Sequence, residues 1–258
     1  ITADDLYDES TPYDGSTIYN MYKNAVIDQS IKTTKDLKKQ ASTLESNIKS
    51  NASSQSDDYE STLTTELAKY GYASYEELND YCLTSVKEKE MNKKYITKHF
   101  DEVKKAWEEK SPRTVSIIKM DVSDADNLTE TETKKKSNID KALEKESFAD
   151  VAKAFSEDSN TANKNGFAGY VDSNSTSSGS NSTSTVPADV VTAAIGLKKG
   201  ETSDWITVTS SSGTSLYKVY VKETNSKKIF NAKSDTVSNQ ALYAILNSDS
   251  SLSYKILD

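Results

Sequence analysis

The sequence predicts an α+β protein, with one α+β domain over residues 112–224 set between helical segments at 1–111 and 225–258. Three observations carry this. Up to Lys110, apolar residues recur at steps of three and four, the period of a helix face. At Ser111-Pro112 the chain leaves the helical region, because a proline ring pushes the preceding residue toward extended backbone. Beyond it, the stretches 114–122, 205–209 and 216–221 are rich in β-branched and aromatic residues. They read as strands, the last two as an antiparallel end.

In order along the chain, Thr2 with Asp4 and Asp5 supplies a cap and an acidic first turn before Leu6 and Tyr7. Ile18, Met21, Tyr22, Ala25 and Val26 make one apolar helix face. Leu37, Ala41, Leu44 and Ile48 make a second, broken at residues 51–56. Tyr59, Leu63, Leu67 and Tyr70 make a third, which Gly71 stops as a C′ residue. Ser74 and Glu77 fit a capping box for the helix carrying Leu78, Tyr81, Cys82 and Val86. Met91, Tyr95, Ile96, Phe100, Val103 and Trp107 continue the period. Residues 134–145 and 148–155 read as helices between the strands. Residues 173–185 are all Ser, Thr, Asn or Gly and read as a flexible loop. Ile229, Phe230, Val237, Leu242 and Ile245 resume a helix, and 254–257 reads as a short strand or extended tail.

Composition removes several function classes. Lys and Arg number 32 against 40 Asp and Glu, a net charge of −8, so no phosphate-binding surface and no nucleic-acid partner are expected. No apolar run approaches the roughly 20 residues of a membrane-spanning helix. Cys82 is alone, which excludes an intrachain disulfide and a thiolate metal cluster, and it reads as a small buried residue. His99 is the only histidine and reads as a half-exposed helix residue. No metal or cofactor is implied. The chain opens at Ile1 without Met or signal peptide, as a mature or trimmed form would. Its Ser-, Thr-, Asn- and Lys-rich, Cys-poor composition suits a secreted Gram-positive protein.

From about Arg113 to Thr224 three landmarks follow in order. Phe148, Val151, Ala152, Phe155, Ser156 and Asp158 fit F-x-x-L-A-x-x-Y-S-x-D. Residues Asn165-Gly166-Phe167-Ala168-Gly169 fit G-G-D-L-G. Ala193, Ile195, Leu197, Gly200, Glu201 and Ser203 fit A-x-F-x-L-x-x-G-E-x-S. The segment resembles the parvulin peptidyl-prolyl isomerases. The flanking helices, with the opening Ile1 to Tyr7 and the segment Tyr70 to Leu78, resemble the PrsA-type extracytoplasmic foldases. The resemblance implies a parvulin-like domain inserted between helical segments that together form a chaperone domain.

It also assigns residues. The first family histidine falls on Ile117 and the second on Ser215, while the third polar position, Cys or Asp in the family, falls on Asp158. The family's threonine near the last turn falls on Ser210, or on Thr209 with a shift of one. The proline-ring pocket aligns with Ala168, Val186 and Val190, beside Ile117. His99 lies before the domain and replaces neither histidine. Two readings stay open for the polar residues: Asp158 either belongs to a site or caps the turn before Asn160, and Ser215 either faces a site or is an ordinary strand residue.

The resulting expectation is a foldase or chaperone outside the cytoplasm, lipid-anchored upstream of Ile1, that binds unfolded secreted polypeptides with weak or no isomerase activity. One rival is an active peptidyl-prolyl isomerase with an altered network of Asp158, Ser215 and Ser210. Another is a surface structural or adhesive protein that reuses the fold. The Ile18 and Tyr22 face would serve a client or a homodimer.

Overall fold

The computed structural model describes residues 15–176 and 186–257. The cap expected at Thr2 to Tyr7 and residues 177–185 of the expected loop lie outside them. The described residues form two compact units: those up to His99 together with those from Ser251, and Phe100–Ser250.

The first unit is helical: α1 (Gly15–Ser30), α2 (Lys35–Ser53), α3 (Tyr59–Ala68), α4 (Leu78–Lys98) and the C-terminal helix Leu252–Leu257. Thr34 starts α2 by accepting the Leu37 N–H at 3.2 Å. Ser74 and Glu77 form the expected capping box before α4, the Glu77 carboxylate accepting the Ser74 N–H at 3.1 Å. The core gathers Ile27, Ile31, Leu37, Ala41, Leu67, Leu78, Cys82, Val86 and Met91. Gly71 has φ +81°, and a Cβ there would meet Met21 Cγ at 2.4 Å, so the expected C′ glycine is required twice over.

Two expectations are corrected in this unit. The 254–257 stretch is helical, and its Ile256 and Leu257 pack on the core. The packed face of α1 is Thr17, Asn20, Asn24 and Ile27, continued by Ile31 just past its end, while Ile18 and Tyr22 stay 39% and 59% exposed. The polar members of that face explain the difference. Asn20 and Asn24 donate to the Lys69 and Tyr70 carbonyls at 3.0 and 2.9 Å, groups left without helical partners after α3. Lys87 of α4, 4% exposed, pairs with Asp28 of α1 at 2.6 Å.

The second unit holds α5 (Phe100–Glu108), β1 (Arg113–Val122), α6 (Glu130–Leu143), α7 (Phe148–Phe155), β2 (Phe167–Val171), α8 (Ala188–Gly196), β3 (Ile206–Ser210), β4 (Gly213–Glu223), α9 (Ser226–Phe230) and α10 (Asp235–Ser248). The four strands form one sheet in the order β2-β1-β4-β3, every neighbour antiparallel. Strand alternation gives the sheet two apolar faces. Val115, Ile117, Tyr217, Val219 and Val221 meet α8. Ile118, Met120, Val122 and Leu216 meet α6 and α7 through Ile139, Phe148, Val151 and Ala152.

The unit boundary falls at His99, and α9 and α10 lie in the sheet's unit, unlike the division at 111 and 225 read from the sequence. Large side chains account for this. Phe100 of α5 meets Phe230 of α9 at 5.4 Å, and Trp107 Nε1 donates to the Tyr170 hydroxyl of β2 at 2.8 Å. That hydroxyl donates to Asp172 at 2.7 Å, and Asp172 accepts the N–H groups of Asn174 and Ser175. Residues 173–176 of the expected loop therefore form a short 3-10 turn.

Glu132 closes a capping box on α6. It accepts the Ser123 and Thr129 N–H groups, each at 2.7 Å, and these bonds lower its pKa from 4.5 to about 2. A depressed carboxyl stabilises the fold fully above its ordinary pKa, and that contribution is lost as pH falls from about 4.5 through about 2. Denaturation of wild type and Glu132→Gln at pH 7 and at pH 3 should show the wild-type advantage shrinking at the lower pH.

Candidate functional site

The α8 face of the sheet carries the residues aligned with a proline pocket. Val186 and Val190 are 5% and 0% exposed, Ile117 is 1% exposed, and Ala168 packs against the same cluster. Arg113 pins α8 from the start of β1: its Nε and Nη2 donate to the Ala194 and Ile195 carbonyls at 3.1 and 2.7 Å. A cation at that end also complements the helix dipole. The structure brings these four residues together, and Ile117 supplies packing and no polar group.

Further along the same face, β1 and β4 become polar. The register sets Ile117 opposite Val219, Lys119 opposite Tyr217 and Asp121 opposite Ser215. Directly opposed residues share a face with close Cβ atoms, so the four side chains form a row. Lys119 Nζ lies 2.9 Å from Asp121 Oδ1, and the Ser215 hydroxyl donates to that same oxygen at 2.6 Å. Burial acts to raise the Asp121 pKa, but the bonds from Ser215 and Lys119 outweigh it and hold the carboxyl below its usual range. The bond to Asp121 pushes the Lys119 ammonium up. Burial raises the Tyr217 hydroxyl, with Asp158 and Asp121 adding to the rise and Lys119 opposing it.

Asp158 reaches this row because the chain after α7 takes the place of β2 along β1. Lys119 N donates to Ser156 Oγ at 3.1 Å, Glu157 N to Lys119 O at 2.9 Å, and Asp121 N to the Glu157 carboxylate at 2.7 Å. The turn then closes on Asn165 and Gly166, both left-handed at φ 56° and 76°. Gly166 O accepts the Ile117 N–H at 2.8 Å. A Cβ on Gly166 would meet Ala152 Cβ at 2.6 Å and Ile117 O at 2.8 Å, which gives this motif glycine its reason.

Asp158 also serves the turn itself. Its carboxylate accepts the Asn160 N–H at 3.2 Å and the Thr161 hydroxyl at 2.8 Å. Ser203 of the third landmark has a structural part as well, since its hydroxyl accepts the Val219 N–H at 3.0 Å.

Ser210 does not join the row. Its hydroxyl sits in the β3–β4 hairpin, accepting the Ser212 N–H at 3.2 Å, and Thr209 meets Thr214 across that hairpin at 3.3 Å. Both belong to turn chemistry. Sequence reasoning overlooked Tyr217 and Lys119. The alternation of Ser215, Tyr217 and Val219 carried the signal, because it places Tyr217 diagonal to Ile117. His99 is half-buried at the end of α4, stacked on Tyr95 at 4.5 Å. The Cys82 thiol is buried, and burial pushes its pKa up to about 11, so it is inert at neutral pH. No group of three or more His, Cys, Asp or Glu among the described residues could hold a metal ion.

Two variants test this geometry. Ser215→Ala removes a donor to Asp121, so NMR titration should find its pKa moved up toward the ordinary carboxylate value. Gly166→Ala forces a left-handed alanine into occupied space, and denaturation should show a loss of about 2 kcal/mol or more.

Residues 116–221 match the rotamase family model, described as a PPIC-type PPIase domain. Among solved structures, the chain is similar to the foldase PrsA of Streptococcus pneumoniae at 22% identity, over 100% of this chain and 87% of that one, with a TM-score of 0.37. It is similar to PrsA of Bacillus subtilis at 20% identity, over 100% and 86%, with a TM-score of 0.43. For PrsA of Lactococcus lactis the figures are 22%, 99%, 86% and 0.41. No curated protein matches the chain. Residues 116–221, which carry the four-stranded sheet, are thus the part of this chain that is similar to a PPIC-type PPIase domain.

Proposed function

We propose that this protein is a foldase-type chaperone that binds unfolded polypeptides, with a rotamase domain of weak or no isomerase activity. The observation that carries this is Ile117, 1% exposed in the apolar cluster under α8, at the position aligned with the first family histidine.

The chemistry makes that position decisive. Rotation about a peptide bond faces a barrier of about 18–20 kcal/mol, lower before proline but still slow, over tens of seconds or more. A prolyl isomerase forms no bond. It accelerates rotation by holding the twisted amide better than the planar one, through oriented donors beside an apolar slot for the ring. An isoleucine offers neither donor nor acceptor. Removing one oriented donor costs on the order of 10²–10³ in rate in a well-studied hydrolase.

The clients are proposed to be secreted polypeptides met outside the cytoplasm, with an anchor upstream of Ile1. The composition, rich in Ser, Thr, Asn and Lys with one Cys, supports that setting. No helix among the described residues is long and apolar enough to cross a membrane. The exposed Ile18, Met21 and Tyr22 of α1 offer apolar surface to a client or to a second copy of the chain.

One observation favours a second reading, an isomerase with a rebuilt network. Lys119, Asp121, Ser215, Tyr217 and Asp158 gather beside Ile117 on the same sheet face. If they catalyse, Asp158→Ala or Tyr217→Phe should abolish a measurable rate.

The primary reading is tested by diluting a chemically denatured client into buffer with the protein. Light scattering should fall in proportion to the protein added, and Asp158→Ala should protect as well as wild type. Unchanged scattering at several-fold molar excess would contradict the proposal.

A further inference from the structure

The face of the sheet opposite Ile117 opens into a cleft of about 660 Å³ between the α6–α7 turn, the 202–204 segment and β4. Its size lies within the range of ligand pockets, about 300–1,000 Å³. The floor is apolar: Phe148 stacks on Tyr220 with centroids 5.3 Å apart, and Leu143 adjoins them. Of the charged residues lining it, Asp140 and Lys218 face each other at 3.6 Å, and Asp140 also accepts the Trp205 Nε1–H at 2.9 Å. Glu144 and Asp204 are exposed, one on each wall, and neither has an ion pair or side-chain hydrogen bond with another described residue. The lining therefore carries two uncompensated negative charges above an aromatic floor.

We infer that this cleft binds an extended polypeptide segment in which Lys or Arg stands beside an aromatic or aliphatic residue. The charge complementarity selects the occupant. A long cationic side chain lays its methylene stem on apolar surface and keeps its charged head at the carboxylates. The neighbouring apolar side chain covers the Phe148–Tyr220 pair. Thr202, bridged to Tyr220, and Ser203 give one wall the extended backbone along which such a segment lies. This rests on the reading that the protein handles unfolded chains, and it adds a site on the far face from Ile117 with a charge preference of its own.

The test uses the full chain and a fluorescent, proline-free peptide of alternating Lys and Phe, beside the same peptide with Glu for Lys. Anisotropy should show the Lys peptide bound and the Glu peptide at least tenfold weaker. Affinity should fall as salt rises. The exposed-residue variant Glu144→Lys/Asp204→Lys should weaken the Lys peptide at least tenfold, and amide shifts on wild type should centre on 202–204 and Tyr220. No binding, equal binding by the charge-reversed variant, or shifts centred on Ile117 and Tyr217 would each overturn the site. If the cleft fails while denatured clients are still protected from aggregation, only this inference falls. If protection is absent too, the proposed function falls with it.

Discussion

The antiparallel register of β1 against β4 is the constraint on which the rest of the sheet's unit depends. By setting Ile117 opposite Val219 it builds the apolar bed on which α8 sits. By setting Lys119 opposite Tyr217 and Asp121 opposite Ser215 it lines up the polar row at the open end of that bed. A slip of one residue would exchange the two faces, sending Ile118 and Met120 toward α8 and Ile117 toward α6 and α7. Both faces are buried against helices, so the register is specified from two sides.

The two faces have different chemical characters. The α8 face is apolar and buried over Val115, Ile117, Val186 and Val190, and its polar groups are bonded to one another or to the turn that carries Asp158. Such a network is stiff and largely satisfied. On the other face, the cleft leaves Glu144 and Asp204 free of described partners above the Phe148–Tyr220 pair. The unpaired charge of the sheet thus collects on the face away from Ile117.

Much of this was legible in the sequence. The helix of 148–155 was read at its observed bounds, the strands read at 114–122 and 216–221 from β-branched and aromatic residues lie within Arg113–Val122 and Gly213–Glu223, and the proline at 112 marks the turn into the sheet. The landmark motifs located the domain, and the structure explains them singly: Gly166 by close approach to Ala152 and Ile117, Ser203 by its bond to Val219. Three things were not legible. Asn20 and Asn24 turn the face of α1, because their partners are carbonyls some fifty residues away, which no periodicity reports. The boundary at His99 depends on Trp107 and Phe230 meeting partners distant in sequence. Lys119 and Tyr217 were overlooked because strand pairing, not the motif, sets them beside Asp121 and Ser215.

The central claim is that a buried Ile117 leaves the domain without the donor that prolyl rotation requires. NMR exchange on a panel of X-Pro peptides, with an active parvulin measured alongside, tests it most directly. The account predicts exchange at the uncatalysed rate in the presence of this protein while the parvulin accelerates it. Acceleration near that of the parvulin, lost on Tyr217→Phe, would contradict the claim and make the Lys119–Tyr217 row a working catalytic site.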